Sequence, residues 1–264
     1  MNVIELGEGP PVVFVHGLSG CWQNWLEQLP VLAANHRVVA LDLPGFGYSQ
    51  MPREPITISI YARILDQVMA ALEIDAAAVV GNSMGGFTAA DLAIAFPQRV
   101  ERLVLAAPAG ISSYNNRKAL RWALWIRRMW PLIAAQANWV AGHAEAVSRR
   151  ARLREVTMYV PILHPSRLPA VLAAEQLRGT GKPGFVQALE ANLNYDFRHR
   201  LPEIVCPTLV VWGEQDRLIT VRDADVFTEL IPDARKVIFD DTGHAPMIER
   251  PARFNALLES FLSE

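Results

Sequence analysis

Apolar residues come in short unbroken runs separated by longer segments with helical spacing. The runs at residues 3–6, 12–15, 38–41, 77–80, 103–106, 208–212 and 236–239 are dominated by Val, Ile, Leu and Ala and show no strict apolar–polar alternation. Strands covered on both faces read this way, so the seven runs predict a mostly parallel sheet. Segments 58–72, 83–96, 221–230 and 252–262 predict helices, with Pro97 ending the second and Pro232 the third. Strand–helix alternation of this kind predicts an α/β fold.

One stretch breaks the rhythm. Residues 111–200 contain no convincing strand, whereas 120–129, 144–158 and, more weakly, 182–193 have helical spacing. Ninety residues are too many for a crossover between parallel strands. The pattern predicts one core, residues 1–110 and 201–264, interrupted by a helical insert over one end of the sheet. There is no internal repeat and no low-complexity tract.

The strongest local signal is Gly81-Asn82-Ser83-Met84-Gly85-Gly86, between a strand and a helix. The pattern G-x-S-x-G alone is weak, and its placement gives it weight. A serine at such a turn needs small residues two before and two after it, and Gly81 and Gly85 supply them. The turn puts the Ser83 hydroxyl at a helix N-terminus, where the Met84 N–H points to the place an oxyanion would form. A phosphate-binding Walker loop would need Gly-Lys-Ser/Thr, which is absent.

Serine needs a base oriented by a third group. Of six histidines, His244 lies in a loop after the run at 236–239, at the same sheet edge as Ser83. His36 falls at the opposite edge, and His143, His164 and His199 belong to the insert or its rim. Asp216, four residues beyond the run at 208–212, is the candidate carboxylate, with Glu214 a weaker one. Asp240 and Asp241 lie too close to His244 in sequence and are read as solvated turn residues. His16-Gly17-Leu18-Ser19-Gly20 ends another strand. Its Leu18 N–H is the candidate second oxyanion donor, and His16 is read as structural. Asp42-Leu43-Pro44-Gly45-Phe46-Gly47-Tyr48-Ser49 reads as an ordered turn.

Taken together, His16-Gly17, the turn from Asp42 to Ser49, Gly81-x-Ser83-x-Gly85-Gly86, Gly213-x-x-Asp216 and Gly243-His244 resemble the α/β-hydrolase superfamily over essentially the whole chain. The resemblance implies Ser83 as nucleophile, His244 as base and Asp216 as acid. It also implies oxyanion N–H groups at Leu18 and Met84, and a cap over 111–200, inserted after the sixth strand of the family. Many relatives carry one more strand at the start, so a sheet of about seven is expected here. Serine at position 83 argues against dehalogenase and epoxide-hydrolase relatives, which use aspartate. The elbow also resembles that of the meta-cleavage-product hydrolases, which break carbon–carbon bonds in anionic dienoates. Those relatives commonly place Trp after the histidine, where this chain has Ala245.

Composition narrows the class. Two cysteines, Cys21 and Cys206, cannot make a disulfide framework, and no metal-ligand spacing occurs. The N-terminus has no signal-peptide pattern and no apolar run has the length of a membrane span, which predicts a cytoplasmic protein. The chain has 25 Lys+Arg and 27 Asp+Glu, for a net charge of −2. That balance hides two halves: residues 111–200 hold 14 basic and 5 acidic residues, leaving 11 and 22 for the rest. Arg117, Lys118, Arg121, Arg127 and Arg128 form one basic group, and Arg149, Arg150, Arg152 and Arg154 another. The insert reads either as a basic lid docked on an acidic body or as an approach surface for an anionic partner: a carboxylated substrate, an acyl-carrier protein or a membrane face.

The insert also holds four of the seven tryptophans. Trp122, Trp125, Ile126 and Met129 recur at helical spacing, as a packing face or as the lining for an acyl or aromatic substrate. Trp122, Trp125, Met129 and Arg121 are the candidate substrate contacts. The expected function is a cofactor-free, metal-free serine hydrolase of carboxylic esters, with a small-molecule substrate, anionic or carrier-bound, and no nucleic-acid partner. A carbon–carbon hydrolase is the enzymatic alternative. A haloperoxidase or perhydrolase would use the same triad. A ligand receptor of the same fold is the non-enzymatic alternative.

Overall fold

The computed structural model describes residues 1–112 and 117–264, with the backbone alone for residues 117–119. The core opens with β1 (Val3–Leu6), β2 (Pro11–Val15), a one-turn helix α1 (Leu29–Leu32) and β3 (Arg37–Leu41). It continues through α2 (Ile58–Ala71), β4 (Ala77–Asn82), α3 (Met84–Ala95) and β5 (Val100–Ala106). Five helices follow before the next strand: α4 (Arg117–Gly142), α5 (Ala144–Ser148), α6 (Ala151–Met158), α7 (Ala170–Arg178) and α8 (Phe185–Asn194). The core then closes with β6 (Thr208–Gly213), α9 (Asp223–Leu230), β7 (Ala234–Phe239), α10 (Pro246–Glu249) and α11 (Pro251–Leu262).

The seven strands form one sheet in the order β1-β3-β2-β4-β5-β6-β7. Only β1 runs antiparallel, against β3; the other pairings are parallel. The missing alternation in the sequence has a direct cause. Val13, Val15, Val79, Leu103, Leu105 and Val210 face one buried layer with residues of α2, α3 and α9. Val12, Phe14, Val80, Val104, Leu209 and Val211 face the other, with α1 and α11. Both phases of each central strand are therefore apolar. The edge strand β7 exposes Arg235 and Lys236, which blunts it against pairing with another chain.

All seven expected strands are present. Among the helices two expectations change. The helix expected at 120–129 runs through Pro131 to Gly142, and the one expected at 144–158 is split at Arg149 and Arg150. The α7 helix was not expected from the pattern. Cys21 and Cys206 are buried and free, and burial pushes the Cys21 thiol up to about 12.

Candidate active site

Parallel strands deliver their following loops to one edge, and Ser83, Asp216 and His244 follow β4, β6 and β7 there. Ser83 adopts φ 55°, ψ −120°, a conformation costly for a residue with a side chain. The surroundings over-determine it. Its N–H donates to Ala106 O at 2.9 Å, and its carbonyl accepts from Phe87 N at 3.0 Å and Ala109 N at 3.1 Å. A Cβ on Gly85 would run into the carbonyl oxygens of Val15 and His16, and one on Gly81 into the backbone of Gly85. Only glycine lets the turn close this tightly.

The Asp216 carboxylate is buried and its acceptor positions are filled. Oδ1 accepts from Leu218 N at 2.8 Å and Ile219 N at 3.0 Å. Oδ2 accepts from Trp212 Nε1 at 3.0 Å and lies 2.7 Å from His244 Nδ1. A carboxylate can only accept, so Nδ1 carries the proton and the lone pair of a neutral His244 ring sits on Nε2. That Nε2 is buried without a hydrogen-bond partner among the described residues. It lines, with Ser83, a cavity of about 530 Å³. Ser83 and His244 thus face one shared space. Leu18 and Met84 border the same space, and Met84 is the first residue of α3, whose N–H has no partner within the helix.

Three side chains fix this arrangement without having stood out in the sequence. Asn82 donates to Ala106 O at 2.9 Å and to His244 O at 3.3 Å, tying the serine turn to the histidine loop. Trp212 shares Oδ2 of Asp216 with the imidazole. Glu249 accepts from Gly243 N at 3.0 Å and Ala245 N at 3.4 Å, on either side of His244, and from Leu163 N at 2.8 Å in the inserted segment. Burial pushes the Glu249 carboxyl above its ordinary range, against the pull of those N–H groups. A Glu five residues after a loop histidine is the only sequence signal it leaves.

His16 is structural, as expected. Its Nε2 accepts from Leu43 N at 2.9 Å, so its Nδ1–H donates to Gly17 O at 2.7 Å, and both nitrogens are spent. Asp42 accepts from Trp22 N, Tyr48 N and Asn2 Nδ2, which orders the turn that follows it. Asp240 and Asp241 are exposed, bonded to Arg253 and to His164, Arg167 and Arg250.

The insert forms the other wall of the cavity through α4, α6, α7 and α8. Of the candidate substrate contacts, Trp122 lines the cavity and Trp125, Met129 and Arg121 do not. Trp125 and Arg121 are exposed, and Met129 is half-buried away from the cavity. The correction is one of phase. The packed stripe of α4 is Ala123, Ile126, Trp130 and Ile133, set against Leu189 and Leu193 of α8. Arg154 leaves the proposed basic surface as well. It is buried and bonded to the carbonyls of Ser148, Pro165 and Ser166. The side chains of Arg117 and Lys118 lie outside the described residues. No Arg or Lys is among the described residues lining the cavity.

Residues 10–251 match the family of the α/β hydrolase fold. The chain belongs to that family. This α/β hydrolase is 33% identical to the 2-hydroxymuconate semialdehyde hydrolase of Pseudomonas sp. (strain CF600), over 100% of this chain and 90% of that protein. Among solved structures it resembles the enol-lactonase of Burkholderia xenovorans LB400, with a TM-score of 0.80 and 27% identity over 100% of this chain and 96% of that one. It also resembles a thermophilic esterase of Thermogutta terrifontis, with a TM-score of 0.78 and 25% identity over 99% and 92%. The protein is a hydrolase of this family, which acts on small molecules. No helix among the described residues is long and apolar enough to cross a membrane.

Proposed function

We propose that the protein cleaves a carboxylic ester with an uncharged acyl group, through a Ser83–His244–Asp216 triad beneath a cap formed by residues 111–200. One observation carries the reading: a buried, unpaired His244 Nε2, oriented from behind by Asp216, faces the same cavity as a serine held in a strained turn. Ser83 Oγ attacks the acyl carbon as His244 Nε2 takes its proton. The Leu18 and Met84 N–H groups hold the tetrahedral oxyanion. His244 returns the proton to the departing alkoxide, leaving an acyl-enzyme. A water deprotonated by His244 then attacks, and the acid leaves with Ser83 reprotonated.

The cavity supports an uncharged acyl portion, because its described lining is mostly apolar and carries no cation. A second reading, carbon–carbon hydrolysis of an anionic dienoate, is favoured by the likeness to 2-hydroxymuconate semialdehyde hydrolase. The uncharged lining among the described residues and Ala245 after the histidine weigh against it. Rates over p-nitrophenyl esters of rising chain length, measured beside a dienoate, separate the two. Ester turnover that vanishes in Ser83→Ala is expected. Turnover of the dienoate alone would replace the ester reading, and failure of a fluorophosphonate to label Ser83 would favour a receptor.

A further inference from the structure

The α4 helix carries a second face that the cavity does not use. It is 26 residues long, about 39 Å, and runs through Pro131. Its inner stripe packs on α8, where Trp130 stacks on Phe185 at 4.7 Å. On its outer side Leu124, Trp125, Leu132 and Trp139 are 55–66% exposed. Large apolar side chains this open, repeated along one helix, mark an interaction surface. Arg121 and Arg128 fall among them, within an arc of about 100° at helical spacing. No Asp or Glu occurs between Glu101 and Glu145. Arg127 pairs with Glu190 at 3.3 Å, whereas no acidic group among the described residues bonds Arg121 or Arg128.

We propose that this outer face of α4 docks on an anionic lipid surface. Tryptophan and leucine interleaved with arginine on an exposed helix suit the headgroup layer, where the rings and alkyl chains enter and the guanidinium groups stay with the phosphates. The absence of acidic residues matches a negatively charged leaflet. It disfavours a second copy, since a two-fold pairing of this face would set arginines against arginines with no carboxylate between them. The same helix also borders the cavity. Trp122 of α4 and Leu218 both line the cavity and are more than half exposed. Tyr159 and Val160, next to the lining residue Met158, are exposed as well. Docking would open the cavity toward lipid.

The test uses the Ser83→Ala protein, so it stands whether or not the ester reading does. Vesicles of phosphatidylcholine with phosphatidylglycerol, and of phosphatidylcholine alone, are sedimented with the protein while tryptophan emission is followed. Binding to the mixed vesicles is expected, with a blue shift, release by salt, and affinity at least about tenfold weaker for neutral vesicles. Two independent variants should each weaken binding by about tenfold or more, Arg121→Glu with Arg128→Glu, and Leu124→Ser with Leu132→Ser. The altered side chains of both are exposed, so their melting temperatures should match the parent's. The proposal is overturned by absence of binding to mixed vesicles, by unchanged binding of both variants, or by a dimer that the same substitutions dissociate.

Discussion

The two walls of the cavity are built in different ways. On the core wall, each group of the site is held by directional bonds. Ser83 is locked by three backbone hydrogen bonds and two glycines. Asp216 is held by four donors, and His244 by its carboxylate and by its N–H to Pro161 O at 3.1 Å. On the insert wall, Phe185, Leu177, Leu189 and Leu193 present carbon, held by packing alone. Polar groups interrupt it: Gln176 donates to Gln23 O, Thr180 donates to Leu177 O, and Asn192 also lines the cavity. The Asn192 amide nitrogen is bonded to Ala188 O, while its buried Oδ1 has no partner among the described residues. Proton transfer needs groups fixed in angle, whereas selection among acyl groups needs only shaped space. The two walls should therefore fail differently when altered.

The largest effect is expected on the core wall. Asp216→Asn keeps the size of the side chain but can turn an N–H toward His244 Nδ1, which forces the imidazole into the tautomer with its proton on Nε2. The kcat for a short p-nitrophenyl ester at neutral pH should fall about 10³- to 10⁴-fold, with KM little changed. A fall of less than about tenfold would mean that Asp216 does not orient the base.

The same division decides what could be read from the chain. Seven strands were legible because both phases of each central strand are buried, and so were Gly81 and Gly85, because the turn around Ser83 tolerates no Cβ. The order Ser83, Asp216, His244 followed from which loops reach one edge of a parallel sheet. The insert was less legible. The pattern of α4 is apolar on two adjacent arcs, and periodicity cannot tell the packed stripe through Ile126 from the open one through Trp125. Proline usually ends a helix, but α4 continues past Pro131. The α7 helix, 170–178, is short and partly covered on a side the pattern did not mark. Asn82 and Glu249 act through backbone groups brought together only by the fold, so the five-residue spacing from His244 to Glu249 was too slight a signal and Asn82 left none.

An intermediate effect is expected on the insert wall. Leu189→Trp adds volume to the cavity lining opposite the core loops without touching a directional bond. The ratio of kcat/KM for long-chain to short-chain esters should drop about tenfold, roughly the discrimination that a methylene or two provides in an apolar pocket. An unchanged ratio would place the acyl chain elsewhere and break the division of labour between the walls.

The smallest effect is a pH dependence at the base of the core wall, and its sign follows from His16. Desolvation by burial lowers the pKa of this imidazole, opposed by its bond to Gly17 O and by the charge of Asp42. Protonating it in the folded protein would break the bond from Leu43 N–H to Nε2. The unfolded chain binds this proton near pH 6.5 and the folded one only at lower pH. Between those values the unfolded state holds more protons, so stability rises with pH. It is fully present above about pH 6.5 and is lost as pH falls toward the folded pKa. From pH 7 to pH 5.5 the contribution of this one site therefore falls. Urea unfolding at the two pH values, with the His16 ring followed by NMR, measures it. A ring that titrates at its unfolded value in the native protein would show that the loop bearing Leu18 is held by something other than a neutral His16, and would leave the core wall less rigid than its hydrogen bonds imply.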